Sequence, residues 1–275
     1  MTTVCLIGVD IGTQGTKAAL FTGTGKCLAM AFQPSRLHRP KPGVVEENAD
    51  QQVESVCNTI RQCVRKARVG NVAGIGIAGQ MAGVIGIGAD GCAVTPYDSW
   101  LDTRCAPYIA RLPADIVIRK AGGPPSFNHG PKLLLWKHER ASTYRRIQAF
   151  VQPGGYAVMR LCGLDAGHAF IDHTYLHFSG FADNLRRVWN TDLCTQFGID
   201  PAKLPRIVQP QEVAGGLTPA MARACGLTAG TPVVAGCGDT AASFLACGAH
   251  VKAFAWMWQA RRRCSRQRQR RTGRM

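Results

Sequence analysis

Residues 5–21 read CLIGVDIGTQGTKAALF. Cys5–Val9 and Lys17–Phe21 are short apolar runs, each long enough for a strand. Between them stands Asp10-Ile11-Gly12-Thr13-Gln14-Gly15-Thr16, where two glycines mark a sharp turn. A further turn over Thr22–Gly25 leads to a third strand candidate, Lys26–Phe32. The chain therefore opens as three consecutive strands joined by glycine turns.

Beyond this meander the clearest periodicity covers Asp50–Ala67. Val53, Val56, Cys57, Ile60, Cys63, Val64 and Ala67 fall on one face at 3.6-residue spacing, which predicts an amphipathic helix. Asn48 or Asp50 suits its start and Gly70 its end. Val72–Ala78 and Val84–Ile87 read as buried strands around Gly79-Gln80-Met81. Pro131–Glu139 reads as a short helix with proline at its first position. Thr231–Gly236 is another apolar strand, followed by Gly238-Asp239. Strands, a helix and then more strands indicate an α/β fold.

The bulk composition narrows the function classes. The chain has 275 residues, 46% hydrophobic and 18% charged, which is globular and sufficient for a large core. No run of 18 apolar residues occurs, so no membrane span is expected. The start reads as a first strand rather than a signal peptide. Twelve cysteines contain no C-x-x-C pair, so a zinc site or redox motif is not expected. They read as small core residues of a reduced, intracellular, cytoplasmic protein. The net charge is +16, and nine of the 33 Lys and Arg residues fall in residues 251–275, which contain no acid. The remaining body is mildly basic, which suits an anionic substrate without requiring nucleic acid.

The hairpin at 10–17 has the makings of a phosphate site. Gly12 and Gly15 let backbone N–H groups approach phosphate oxygens, and Thr13 and Thr16 offer hydroxyls. Asp10 could hold Mg²⁺, usually through water, and Lys17 could add charge or brace the strand. The same residues also suit a plain β-hairpin turn. There is no GxxxxGK[ST]. GxGxxG occurs at Gly74-Gly76-Gly79 and at Gly86-Gly88-Gly91, but the first lies within a strand and the second runs into the turn Asp90-Gly91. Neither leaves a strand to open a helix, as a dinucleotide fingerprint must.

Four segments in order carry a family resemblance. VDIGTQGTKAALF at 9–21, GIAGQMAG at 76–83, SWLDTR at 99–104 and PVVAGCGDTAASFLACGA at 232–249 resemble the phosphate, sugar-contacting, tryptophan-x-Asp-x-Arg and catalytic-aspartate segments of the FGGY carbohydrate kinases, xylulokinase-like branch. The resemblance covers about residues 3–250. It implies an actin-like ATPase fold built on a ribonuclease-H-like domain, a mixed sheet flanked by helices. It implies a sugar substrate, most simply a ketopentose such as xylulose or a related polyol, with ATP and Mg²⁺. Asp239 would be the general base, and Gln80 and Met81 would line the sugar pocket. Asp102 and Arg104 would either bind sugar hydroxyls or form a structural ion pair. Trp100 fits a core position better than a sugar platform. Xylulokinases carry histidine where this chain has Ala82, and often asparagine where it has Thr240. Asp172 and His173 could reach the cleft, but a lone histidine is more often structural.

In this family a second domain carries most of the ATP site. Here the chain reads AFAWMWQARRRCSRQRQRRTGRM and stops, so residues 1–250 are expected to be the sugar-binding N-terminal domain without its ATP-binding partner. One choice of codons for Trp258–Ser265, read one base earlier, encodes Val-Ala-Gly-Thr-Ala-Ser-Val-Leu, which resembles the expected ATP loop. Residues 251–275 are therefore expected to be a frame-shifted or solvated basic tail, with neither specific nucleic-acid recognition nor membrane binding. The alternative to a sugar kinase is a domain that binds sugar but lacks kinase activity.

Overall fold

The computed structural model describes residues 4–248. The basic stretch 251–275, expected to form a tail, lies outside the described residues. The described residues up to Asp239 form one compact unit, and those from Thr240 onward belong to a second. Helix Asp239–Ala246 begins at the last residue of the first unit.

The first unit is built on a seven-stranded sheet. The order is Val213–Gly216, Pro232–Val234, Gly74–Gly79, Cys5–Gly12, Gly15–Thr22, Cys27–Pro34, and the two-residue strand Cys237–Gly238 also pairs with Gly74–Gly79. The opening meander is antiparallel, whereas Gly74–Gly79 runs parallel to Cys5–Gly12. A parallel neighbour needs a crossover, and helix Ala49–Ala67 lies within it. This is the mixed sheet flanked by helices that the sequence implied.

Alternation along the strands decides which side the helices cover. Cys5, Ile7, Val9 and Ile11 point into the core with Ala18, Leu20, Ile75 and Ile77. Against them lie Val53, Val56, Cys57, Ile60 and Cys63 of the long helix, and Tyr156, Val158, Met159 and Leu161 of helix Pro153–Cys162. Each fully buried large aliphatic side chain contributes roughly 1.5–3 kcal/mol. The out-of-phase residues Leu6, Leu28, Met30 and Phe32 are exposed. A separate core gathers around Leu133–Trp136 of helix His129–Glu139, with Val117, Phe150, Phe181 and Leu193.

The helix ends differ from expectation in instructive ways. Asn48 is the N-cap of the long helix, its side chain accepting from the Gln51 amide at 3.0 Å, while Asp50 lies in the first turn. The helix closes on Arg68, at a left-handed φ of 53°, before Gly70 is reached. Helix His129–Glu139 starts two residues before Pro131. The strand expected over Val72–Ala78 occupies Gly74–Gly79, so the first GxGxxG does lie within a strand. Cys5, Cys57, Cys63, Cys105, Cys194 and Cys225 are buried. No described helix is long and apolar enough to cross a membrane.

Gly236 sits where the chain turns from Pro232–Val234 into Cys237–Gly238. Its φ is +82°, and a Cβ there would stand 1.9 Å from the Ile77 carbonyl oxygen. Gly25, at φ +87°, has open space around the same position. Gly236→Ala is expected to destabilise the protein by about 3 kcal/mol or more, through left-handed strain plus a backbone clash. Gly25→Ala carries the strain alone, about 1–2 kcal/mol. Urea unfolding of the two variants measures the difference.

Candidate functional site

Strand Cys5–Gly12 turns into Gly15–Thr22 through Thr13 and Gln14, with Gly12 opposite Gly15. A Cβ on Gly15 would stand 2.4 Å from both the Gln33 carbonyl oxygen and the Phe32 ring, so only glycine lets the hairpin pass. Asp10 and Lys17 are cross-strand partners on the open face, with Nζ 4.0 Å from Oδ2. Asp10 Oδ1 is buried and makes no hydrogen bond among the described residues. Burial raises the Asp10 pKa, Lys17 opposes the rise, and Asp239 adds to it.

Thr13 is held by a chain of hydrogen bonds. Trp100 Nε1 donates to its hydroxyl at 2.8 Å, and the hydroxyl donates to Gln80 Oε1 at 3.1 Å. Gln80 Nε2 donates to Glu47 Oε1 at 2.8 Å, and Gln52 Nε2 donates to Glu47 Oε2 at 3.1 Å. A hydroxyl has one proton to give, so the Trp100 contact and the Gln80 contact orient each other. Glu47 is buried and its carboxyl is pushed up by that burial, against hydrogen bonds from Gln80, Gln52 and Ser35.

The same arrangement places several of the expected site residues. Gln80 is buried and turned toward Thr13 and Glu47, so its amide braces the hairpin from behind. Thr16 faces the core, where its hydroxyl stands 2.5 Å from Ser55 Oγ, rather than joining Thr13 at the turn. Strand alternation places it there, one residue out of phase with Lys17. Trp100, expected in the core, is 46% exposed with only its N–H anchored. Met81 is buried, and a Cβ on Gly238 would stand 2.5 Å from its Cε. Ala82 adopts a left-handed φ of 67°.

Asp102 and Arg104 form the ion pair that was one of their two expected roles. Arg104 Nε donates to Asp102 Oδ2 at 2.9 Å, and Nη2 reaches Asp98 at 2.6 Å and Glu46 at 2.8 Å. Asp102 is fully buried and also accepts from the Val45 amide. Lys132, likewise buried, donates to the Ser99 and Asp102 carbonyls. Glu46, Asp98 and Asp102 are close enough to share a cation, and the Arg104 guanidinium lies among them. Burial pushes Asp98 up to about 6, against Arg104 and Lys132.

Asp239 follows Gly238 directly. Gly238 pairs with Gly79, and Gly79 with Ile11; one step back, Cys237, Ala78 and Asp10 form a row. The two aspartates thus stand at one end of one sheet, with strand Gly74–Gly79 between their strands. Two strand spacings amount to about 10 Å, and Asp239 raises the Asp10 pKa across that gap.

Residues 5–246 match the FGGY family of carbohydrate kinases, N-terminal domain. The xylulose kinase of Escherichia coli (strain K12) is 29% identical over 246 residues, covering 88% of this chain and 50% of that protein. A ligand-bound xylulose kinase structure from Lactobacillus acidophilus superposes with a TM-score of 0.80 at 27% identity, covering 87% of this chain and 49% of that one. A gluconate kinase structure from the same organism also gives a TM-score of 0.80, at 26% identity, over 86% of this chain and 48% of that one. The chain spans about half the length of the curated relatives it matches.

The buried Asp98 carboxyl yields a pH test. Its folded value of about 6 lies above the unfolded 3.8. The stability it contributes is therefore complete below about pH 4 and is lost as the pH rises through 6. Relative to Asp98→Asn, the native protein is expected to lose on the order of 3 kcal/mol of unfolding free energy between these limits. Urea unfolding of both proteins across that window measures the difference in slope.

Proposed function

The chain belongs to the FGGY family of carbohydrate kinases, and from that membership we propose that it serves the ATP-dependent phosphorylation of a sugar hydroxyl. The acceptor class is a ketopentose such as xylulose, or a related polyol. The observation that carries the reading is the placement of Asp10 and Asp239 at one end of one sheet, each within electrostatic reach of the other.

Asp239 acts as general base. It takes the proton of the acceptor hydroxyl as that oxygen bonds to the γ-phosphorus and the bond to ADP breaks. Phosphoryl transfer asks the protein for alignment and charge neutralisation more than for covalent chemistry. Gly12, Thr13 and Gly15 form the turn that meets phosphate, with Thr13 fixed by Trp100 and Gln80. Thr16 and Gln80 act on that turn from the core side. Mg²⁺ fits the free oxygen of Asp10, since it binds through one or two carboxylates together with substrate phosphates and water. Its charge offsets that of the phosphates. Lys17 stands beside Asp10 on the same face.

Around the acceptor, Met81 backs Gly238, and Trp100 offers an exposed indole held at its nitrogen. An anchored aromatic face suits the C–H surface of a sugar. Asp102 and Arg104 support this wall from within. Ala82 presents only a methyl group, which leaves a sugar hydroxyl there without an imidazole partner. The acceptor is therefore set at the level of its class.

A paired measurement tests the proposal on the purified 275-residue chain: thermal shift with ketoses and polyols, and coupled ADP release with MgATP. A ligand at a hundred times its Kd adds about 2.7 kcal/mol of stability. This chain alone is expected to release little or no ADP; Asp239→Asn is expected to keep the thermal shift and to lower any ADP release that is measured, by up to roughly 10²–10⁴-fold. Ketose binding without ADP release assigns this chain the sugar-holding part alone. Turnover unchanged in Asp239→Asn removes the base from Asp239.

A further inference from the structure

The strand that delivers Asp239 is only two residues long and has a sheet neighbour on one side, Gly74–Gly79. Its other polar groups must bond elsewhere or lose a hydrogen bond on burial. They meet the short helical segment His173–Phe178. The Gly238 amide donates to Thr174 Oγ1 at 2.9 Å. The Tyr175 hydroxyl bonds the Gly79 carbonyl at 3.0 Å and lies 3.4 Å from that of Cys237. Two side chains thus stand where another strand would, on the residues immediately before Asp239.

The Thr174 hydroxyl is itself oriented. It donates to Asp172 Oδ1 at 2.5 Å, and the Thr174 amide donates to the same oxygen at 2.9 Å. With its single proton committed to Asp172, the hydroxyl presents lone pairs to the Gly238 amide. Asp172 is 3% exposed and among the described residues has no cation as a hydrogen-bond partner, so its carboxylate is directed at the Thr174 hydroxyl and amide. Met81 also packs against Gly238, where it leaves no room for a Cβ.

We propose that Thr174, oriented by Asp172, is a positioning residue that fixes the main chain at Gly238 and thereby the carboxylate of Asp239. The proposal rests on the functional reading of Asp239 for its importance, but its physical content is local order at residues 238 and 239. A hydroxyl at 174 is the required feature. Thr174→Ser keeps it, and Thr174→Val removes it at nearly the same volume.

Amide exchange and ¹⁵N relaxation on the 275-residue chain test this. In Thr174→Val the Gly238 amide is expected to exchange on the order of tenfold faster, the upper end of what one hydrogen bond contributes. The Asp239 amide order parameter is expected to fall from about 0.85 toward 0.6. Val9 and Ile77, in the central strands, keep their protection, which separates the effect from general loosening. Thr174→Ser restores both values. If Thr174→Val does not fold, Thr174→Ala is read in the same way. Unchanged exchange and order at 238 and 239 in the folded variant overturn the proposal. So does loss of protection at Val9 and Ile77 to the same degree. These readouts need no turnover, so they stand apart from the Asp239→Asn assay: local disorder with no effect of Asp239→Asn on ADP release keeps the positioning and removes the base.

Discussion

The register between Cys5–Gly12 and Gly74–Gly79 is the constraint on which the site depends. Side chains alternate strictly along a strand, so a slip of one residue would exchange the two faces. In the observed register Ile11 is completely buried while Asp10 faces outward. On the far edge of Gly74–Gly79 a second pairing sets Gly79 beside Gly238. Core packing of Ile7, Val9, Ile11, Ile75 and Ile77 against the long helix therefore does two things together. It holds the sheet, and it brings Asp10 and Asp239 to one end of it, although 228 positions separate them in the chain. The hydrophobic pattern thus fixes the electrostatic one.

Much of this was legible because it is periodic. The meander, the long helix and the ordered motifs all announce themselves through spacing and glycine turns. What escaped is non-local. Cys237–Gly238 is too short to carry a pattern, and it is a strand only because Gly74–Gly79 lies beside it. Trp100 looked like a core residue by type, yet its N–H found Thr13 and its ring stayed outside. Gln80, expected from its motif to line the sugar pocket, is buried with its amide on the Glu47 carboxylate, a partner that no local pattern marks. Thr16 is the instructive case. Its phase relative to Lys17 was visible in the sequence, and alternation alone would have turned it inward. Arg68 ends the long helix in a left-handed conformation that no pattern marks, two residues ahead of the glycine that would suit it.

Behind the site stands a wall whose rigidity has a different origin. Glu46, Asp98 and Asp102 converge on one guanidinium, the Trp136 indole N–H donates to Asp98, and Lys132 donates to the Ser99 and Asp102 carbonyls. Buried charges of this kind add little net stability, because desolvation offsets much of their attraction. Their effect is geometric: removing one partner leaves an uncompensated charge, so the loop through Trp100 has few alternative arrangements. The rise of Asp98 to about 6 records the desolvation that remains after Arg104 and Lys132 have acted.

The two site aspartates differ from that wall in the one respect that matters for chemistry. Asp98 and Asp102 have their cation in place, whereas Asp10 meets Lys17 only at 4.0 Å and keeps one oxygen without a hydrogen bond. Burial and Asp239 both act against ionisation of Asp10. A divalent cation relieves both at once, because it replaces lost hydration and neutralises the mutual repulsion. This supplies the physical reason for assigning Mg²⁺ to Asp10 in the proposed kinase, while Asp239 is left to accept a proton. Fixing the latter is then a matter of backbone order, and the short edge strand is where that order is most exposed to loss. It is also where the fold has set the Met81 side chain and the hydroxyls of Thr174 and Tyr175.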